Sequence, residues 1–85
     1  NYGRAATGYL PALEFENAED PVVQVIDEAA DDVVYTLRVR GDRYRPKVFS
    51  HGPFTVVLEH EGRIRRLAGL TPLPEADGVA LRIRF

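Results

Sequence analysis

The sequence predicts an all-β domain, an antiparallel sandwich of seven short strands, and three observations carry that prediction. Apolar and polar residues alternate with a period of two along much of Pro21 to Gly62, the repeat that places one face of a strand in a core and the other in water. Turn-forming residues punctuate the chain at a spacing of roughly 8–12 residues, the rhythm of a sandwich. The one stretch that reads as a helical turn, Glu28–Asp32, is too short to propagate. A small closed barrel of the nucleic-acid-binding kind is the competing architecture.

The elements follow in order. Residues 1–8 read as a linker or lead-in, and residues 9–85 as a single domain. A first strand is expected over Tyr9–Glu16, with Leu13 and Phe15 inward and Glu14 and Glu16 outward; Pro11 places it at an edge. Asn17–Pro21 is a turn, because a proline pushes its predecessor out of the helical region. Val22–Asp27 is almost continuously apolar and so reads as a central strand or one buried on both faces. Glu28–Asp32 connects it to Val33–Arg40, where Val33, Tyr35, Leu37 and Val39 share one face and Val34, Thr36, Arg38 and Arg40 the other. A strand over Tyr44–Phe49 ends at the break Ser50–Pro53. Strands over Phe54–His60 and Arg63–Leu67 flank the tight turn Glu61–Gly62, with Phe54, Val56 and Leu58 inward. After the loop Thr71–Gly78, Val79–Phe85 turns Leu81, Ile83 and Phe85 inward.

With 85 residues and no cysteine, this domain depends on a hydrophobic core, and its 45% apolar content is sufficient for one. No run approaches the roughly 20 apolar residues of a membrane helix, and the N-terminus lacks the pattern of a signal peptide. No methionine occurs, even at position 1, so the chain reads as processed or as a piece of a larger protein. The charge is uneven. Residues 1–32 hold eight acids against one base, whereas residues 33–85 hold ten bases against five acids. Opposite-charge pairing between neighbouring strands is the expected outcome, with a charged partner-binding face as the alternative.

The sequence offers little for catalysis. Ser50 and His51 are adjacent, and in an extended chain their side chains point to opposite faces, so a nucleophile–base pair is not expected. His60 shares the parity of Phe54, Val56 and Leu58 and is expected to cap the core edge. Neither histidine has the companions of a metal site, and no cofactor is implied. The acidic turn Asp27–Asp32 lacks the spacing of a calcium loop and reads as a solvated hairpin turn, with a weak calcium site as the other use of its carboxylates. The basic run Arg38, Arg40, Arg43, Arg45 and Lys47, with Tyr44 among them, resembles a phosphate-contacting stripe with a stacking aromatic. The acidic balance of the whole chain, net −2, argues against a dedicated nucleic-acid domain. Arg40-Gly41-Asp42 spells a cell-adhesion tripeptide, but a glycine–aspartate hairpin turn explains it. Outward Val22, Val34 and Val57 are candidates for a covered sheet face, since aliphatic side chains on a solvated face suggest a partner.

Three segments carry a resemblance. Asn1-Tyr2-Gly3-Arg4 with Gly8-Tyr9-Leu10-Pro11, then Pro21 to Glu28, then Val34 to Val39 running on to Arg45-Pro46-Lys47-Val48-Phe49, together resemble the C-terminal module that follows the catalytic domain of bacterial PhoD-like metallophosphatases (the alkaline phosphatase D family). The run Gly52-Pro53-Phe54-Thr55-Val56 is similar to strand starts in transthyretin-like and carboxypeptidase-regulatory-like sandwiches. The resemblances imply an Ig-like or transthyretin-like sandwich that is not itself an enzyme. They imply an upstream catalytic domain of the same chain as its partner, and a periplasmic or extracellular location. The family's metal ligands belong to the catalytic domain, so no catalytic or metal-binding residue transfers to this chain. Two other uses remain open. One is a carbohydrate or cell-surface binding module, for which Tyr2, Tyr9, Tyr35 and Tyr44 are the available tyrosines. The other is a phosphate- or nucleic-acid-binding face on Arg38, Arg40, Arg43 and Arg45.

Overall fold

A computed structural model describes residues 8–73 and 80–85, and all of its regular structure there is β. Nine strands replace the seven expected: β1 (Gly8–Tyr9), β2 (Ala12–Glu16), β3 (Val22–Asp27), β4 (Asp32–Arg38), β5 (Arg43–Tyr44), β6 (Lys47–Val48), β7 (Phe54–His60), β8 (Arg63–Leu70) and β9 (Ala80–Arg84). Proline accounts for the two extra. Pro11 divides the first expected strand into β1 and β2, and Pro46 divides the fourth into β5 and β6, because proline supplies no ladder N–H. The chain stays together across both breaks, since the Leu10 N–H donates to the Pro46 carbonyl at 2.9 Å.

β4, β3, β7 and β8 form one antiparallel sheet in that order. β5, β2 and β9 form a second sheet, and β1 pairs with β6. The purely antiparallel expectation needs correction, because β2 and β9 run parallel. Their register is written into the sequence. Ala12, Leu13, Glu14, Phe15 and Glu16 stand beside Ala80, Leu81, Arg82, Ile83 and Arg84, so apolar meets apolar and acid meets base at every position. Parallel pairing requires the crossover that the rest of the chain provides.

The core gathers side chains from both sheets: Leu13, Phe15, Ile83 and Phe85 from one, and Val23, Val25, Phe54, Val56 and Leu58 from the other, with Leu10, Val39 and Val48 closing the sides. The expected inward faces of β2, β7 and β9 are all in place. β3 is central, as expected, but it is not buried on both faces: Val23 and Val25 are fully enclosed, while Val22, Gln24 and Ile26 are half-buried.

Two bulges correct the simple alternation. In the β3–β4 ladder Val25 faces Tyr35 but Ile26 faces Val33, so Val34 is an extra residue. Each such insertion reverses the parity beyond it. Val33, expected inward, is therefore 53% exposed. In the β7–β8 ladder Phe54 faces Leu70 and Val56 faces Leu67, which leaves Thr55 opposite Ala68 and Gly69. Gly69 adopts a φ of +70°, which only glycine takes readily at a bulge. Most of the expected lead-in, most of the expected loop Thr71–Gly78 and the expected strand start at Val79 lie outside the described residues, as positions 1–7 and 74–79. Leu73 bridges to Tyr9 through two backbone hydrogen bonds of 2.8 and 3.1 Å.

Candidate functional site

The arginines of the basic run are placed apart, and Arg38, Arg43 and Arg45 each lie on a different local partner. Arg38, at the end of β4, donates from Nη1 to the Asp20 backbone carbonyl at 2.9 Å. That contact, with the Gly41 N–H on Asp20 Oδ1 at 2.6 Å, joins the turn after β2 to the turn after β4. Arg40 is exposed. Arg43 on β5 lies 3.5 Å from Glu14 Oε2, and Arg82 on β9 lies 3.7 Å from Glu14 Oε1. Arg45 is half-buried, with its guanidinium 5.6 Å from the centre of the Tyr9 ring. Charge pairing between neighbouring strands, as the charge distribution suggested, is thus seen at Glu14, which meets Arg43 on one side and Arg82 on the other.

The described tyrosines do not form an exposed row, and Tyr2 lies outside the described residues. Tyr9, Tyr35 and Tyr44 are all half-buried. Tyr35 donates its hydroxyl to the Lys47 carbonyl at 2.8 Å, and the Tyr44 hydroxyl lies 3.5 Å from it. Burial, chiefly, and the neighbouring Tyr44 push the Tyr35 phenol far above its ordinary range, so it stays protonated.

Two carboxylates of the acidic turn, Asp27 and Glu28, are engaged by protein donors. Asp27 Oδ1 accepts from the Ala29 and Ala30 amides at 3.0 and 3.4 Å, and Asp27 Oδ2 accepts from Ser50 Oγ at 3.1 Å. Glu28 has a role that periodicity does not reveal. Its Oε2 accepts the bulge amide of Gly69 at 2.8 Å and the buried Thr55 hydroxyl at 2.7 Å. One exposed carboxylate therefore satisfies the donors that the β8 bulge and the Thr55 side chain would otherwise leave unpaired. Only the glycine at position 69 hints at this in the sequence, since an isolated glycine within a strand marks a bulge. Among the described residues no group of three or more histidine, aspartate or glutamate side chains is placed to hold a metal ion. His51 is exposed, and His60 is half-buried at the core edge with its ring 5.6 Å from that of Phe85.

The Gly69 amide first, then the Thr55 hydroxyl, hold the Glu28 carboxyl below the usual carboxylate range; its slight desolvation acts the other way, and the Arg66 charge adds a smaller lowering. A lowered folded-state pKa means that the unfolded chain binds the extra proton, so the stability Glu28 contributes is complete above about pH 4.5 and is lost as pH falls through the folded-state value. Glu28→Gln is expected to melt below the wild type at about pH 7, with the gap closing as pH falls below about 4.5. Thermal melts across that range check it. A gap independent of pH would mean that the charge of Glu28 is irrelevant.

The remaining surface feature is the outer face of the four-stranded sheet. Val22 and Ile26 of β3, Val34 of β4 and Val57 of β7 lie on it, so the three valines singled out by pattern share one face. The structure adds two residues. Ile64 on β8 is 60% exposed, and Val33 joins the face through the Val34 bulge. Ile64 was legible in principle, since its parity is opposite to that of the inward-facing Leu67.

No family model, curated protein or solved structure matches the chain.

Proposed function

We propose that the chain is a non-catalytic accessory module of a larger polypeptide and docks on a neighbouring domain through the outer face of its four-stranded sheet. The observation that carries this reading is that each of the four strands places an aliphatic side chain on this face, from Val33 on β4 to Ile64 on β8, among polar residues such as Gln24, Thr36 and Glu59. The sequence resemblance to the C-terminal module of PhoD-like metallophosphatases supplies the partner: an upstream catalytic domain of the same chain, in an exported bacterial protein. On this reading the two proline-split strands each count once, giving a seven-stranded Ig-like or transthyretin-like sandwich. Arg38, Arg43 and Arg45 of the arginine run are already engaged locally, and the described tyrosines lack the exposure of a carbohydrate platform, so docking is preferred to either binding alternative.

Val33→Glu and Ile64→Glu are expected to leave the module folded, with stability changes within about 0.5 kcal/mol, because both side chains are largely in solvent. In the parent polypeptide the same changes are expected to loosen the module from its neighbour, read as faster proteolysis of the connecting segment. The coding sequence upstream of Asn1 is the first check. A metallophosphatase domain there supports the reading, and any other content removes the phosphatase partner. Unchanged proteolysis in both variants would remove the docking face.

A further inference from the structure

Among the described residues β4 ends its sheet, and the edge left unpaired there is built for a specific kind of pairing. The Val39 N–H donates to the Pro21 carbonyl at 2.8 Å, and the ladder then pairs Leu37 with Val23 and Tyr35 with Val25. Bonded and non-bonded pairs alternate in an antiparallel ladder, so Tyr35, Leu37 and Val39 direct their backbone groups at β3. Those of Thr36 and Arg38 point away from the sheet. Both residues are exposed. A groove runs along this edge, lined by Val34 to Leu37 on one side and by Tyr44, Lys47 and Phe49 on the other. Charge is polarised along the strand, with Asp31 and Asp32 at its start and Arg38 and Arg40 at its end.

We infer that this edge pairs with the same edge of a second copy of the chain, joining two four-stranded sheets into one of eight strands. An antiparallel pairing with Thr36 on the two-fold axis sets the outward backbone groups of Thr36 against the same groups of the second copy, and those of Arg38 against Val34, the residue that has no partner in the β3 ladder. It also brings the acidic start of each β4 alongside the basic end of the other. An unrelated extended peptide could use the same backbone groups, but the acid-to-base order along β4 is complementary to itself when reversed, which singles out the second copy. Leu37 of each copy falls opposite Tyr35 of the other, at the mouth of the groove. The Val34 bulge restricts the regular edge to a few residues, so the dimer is weak and forms at high concentration.

Sedimentation of the 85-residue chain tests this between about 10 μM and about 1 mM. The expected result is a mass rising from one copy towards two, with association weakened at roughly 1 M salt. Thr36→Pro removes an outward amide that no intrachain ladder needs, and is expected to abolish the rise. Asp32→Arg and Arg40→Asp, both at exposed positions, are each expected to weaken association about three- to tenfold, and the double swap to restore it. A constant monomer mass overturns the inference. So does a dimer that persists in Thr36→Pro, or a double swap no tighter than the single changes.

Discussion

Replacing Phe54 with alanine is expected to lower stability by about 3–5 kcal/mol. The side chain is fully buried and belongs to the cluster that both sheets build. It opens β7, whose residues pair with β3 on one side and β8 on the other, so relaxation around a cavity there is restrained by two ladders. A domain of this size has a total stability on the order of 5–10 kcal/mol, so the variant is expected to stand close to unfolding at room temperature. Urea denaturation followed by far-ultraviolet circular dichroism measures it. A cost below about 1 kcal/mol would show that the ring does not occupy the core as described.

Gly52→Ala is expected to cost about 2–4 kcal/mol through two separate effects. Gly52 has a φ of +77°, where an L-residue is strained. A Cβ at that position would also lie 2.7 and 2.8 Å from two ring carbons of Phe54. Because Phe54 is enclosed, its ring cannot swing aside without disturbing the core. The combination Gly52→Ala/Phe54→Ala separates the two effects. The cost is expected to fall short of the sum of the single changes, because the alanine at position 54 removes the collision and leaves only the backbone strain. Strict additivity in denaturant melts would assign the whole effect to the backbone.

These expectations rest on features that differ in how plainly the sequence shows them. The inward set of β7 was readable because Phe54, Val56 and Leu58 alternate without interruption. The same rule failed at Val33, because an inserted residue at Val34 reverses the faces and nothing in the composition of a run of valines announces it. Pro11 and Pro46 were visible as breakers, but the hydrogen bond that ties the two breaks together depends on tertiary placement. The parallel pairing of β2 and β9 was hidden for a related reason. Matching acid–base and apolar patterns appear in both segments, yet alternation within a strand says nothing about which distant segment lies beside it. At the candidate site, Val22, Val34 and Val57 were found by parity, whereas Glu28 was not. Its importance comes from a bulge amide 41 residues away.

That parallel pair has a kinetic consequence. Every partner in it is 68 residues from its mate, as Leu13 is from Leu81. The β3–β4 and β7–β8 hairpins can form from neighbouring sequence, but the three-stranded sheet must wait for a large loop to close. During synthesis β2 therefore emerges long before β9 exists, so the side of the strand that carries Leu13 and Phe15 into this pairing stays without its ladder until residues 80–84 have been made. Glu14 and Glu16, alternating with those two side chains, give that early segment the charge that discourages association with other nascent chains in the interval.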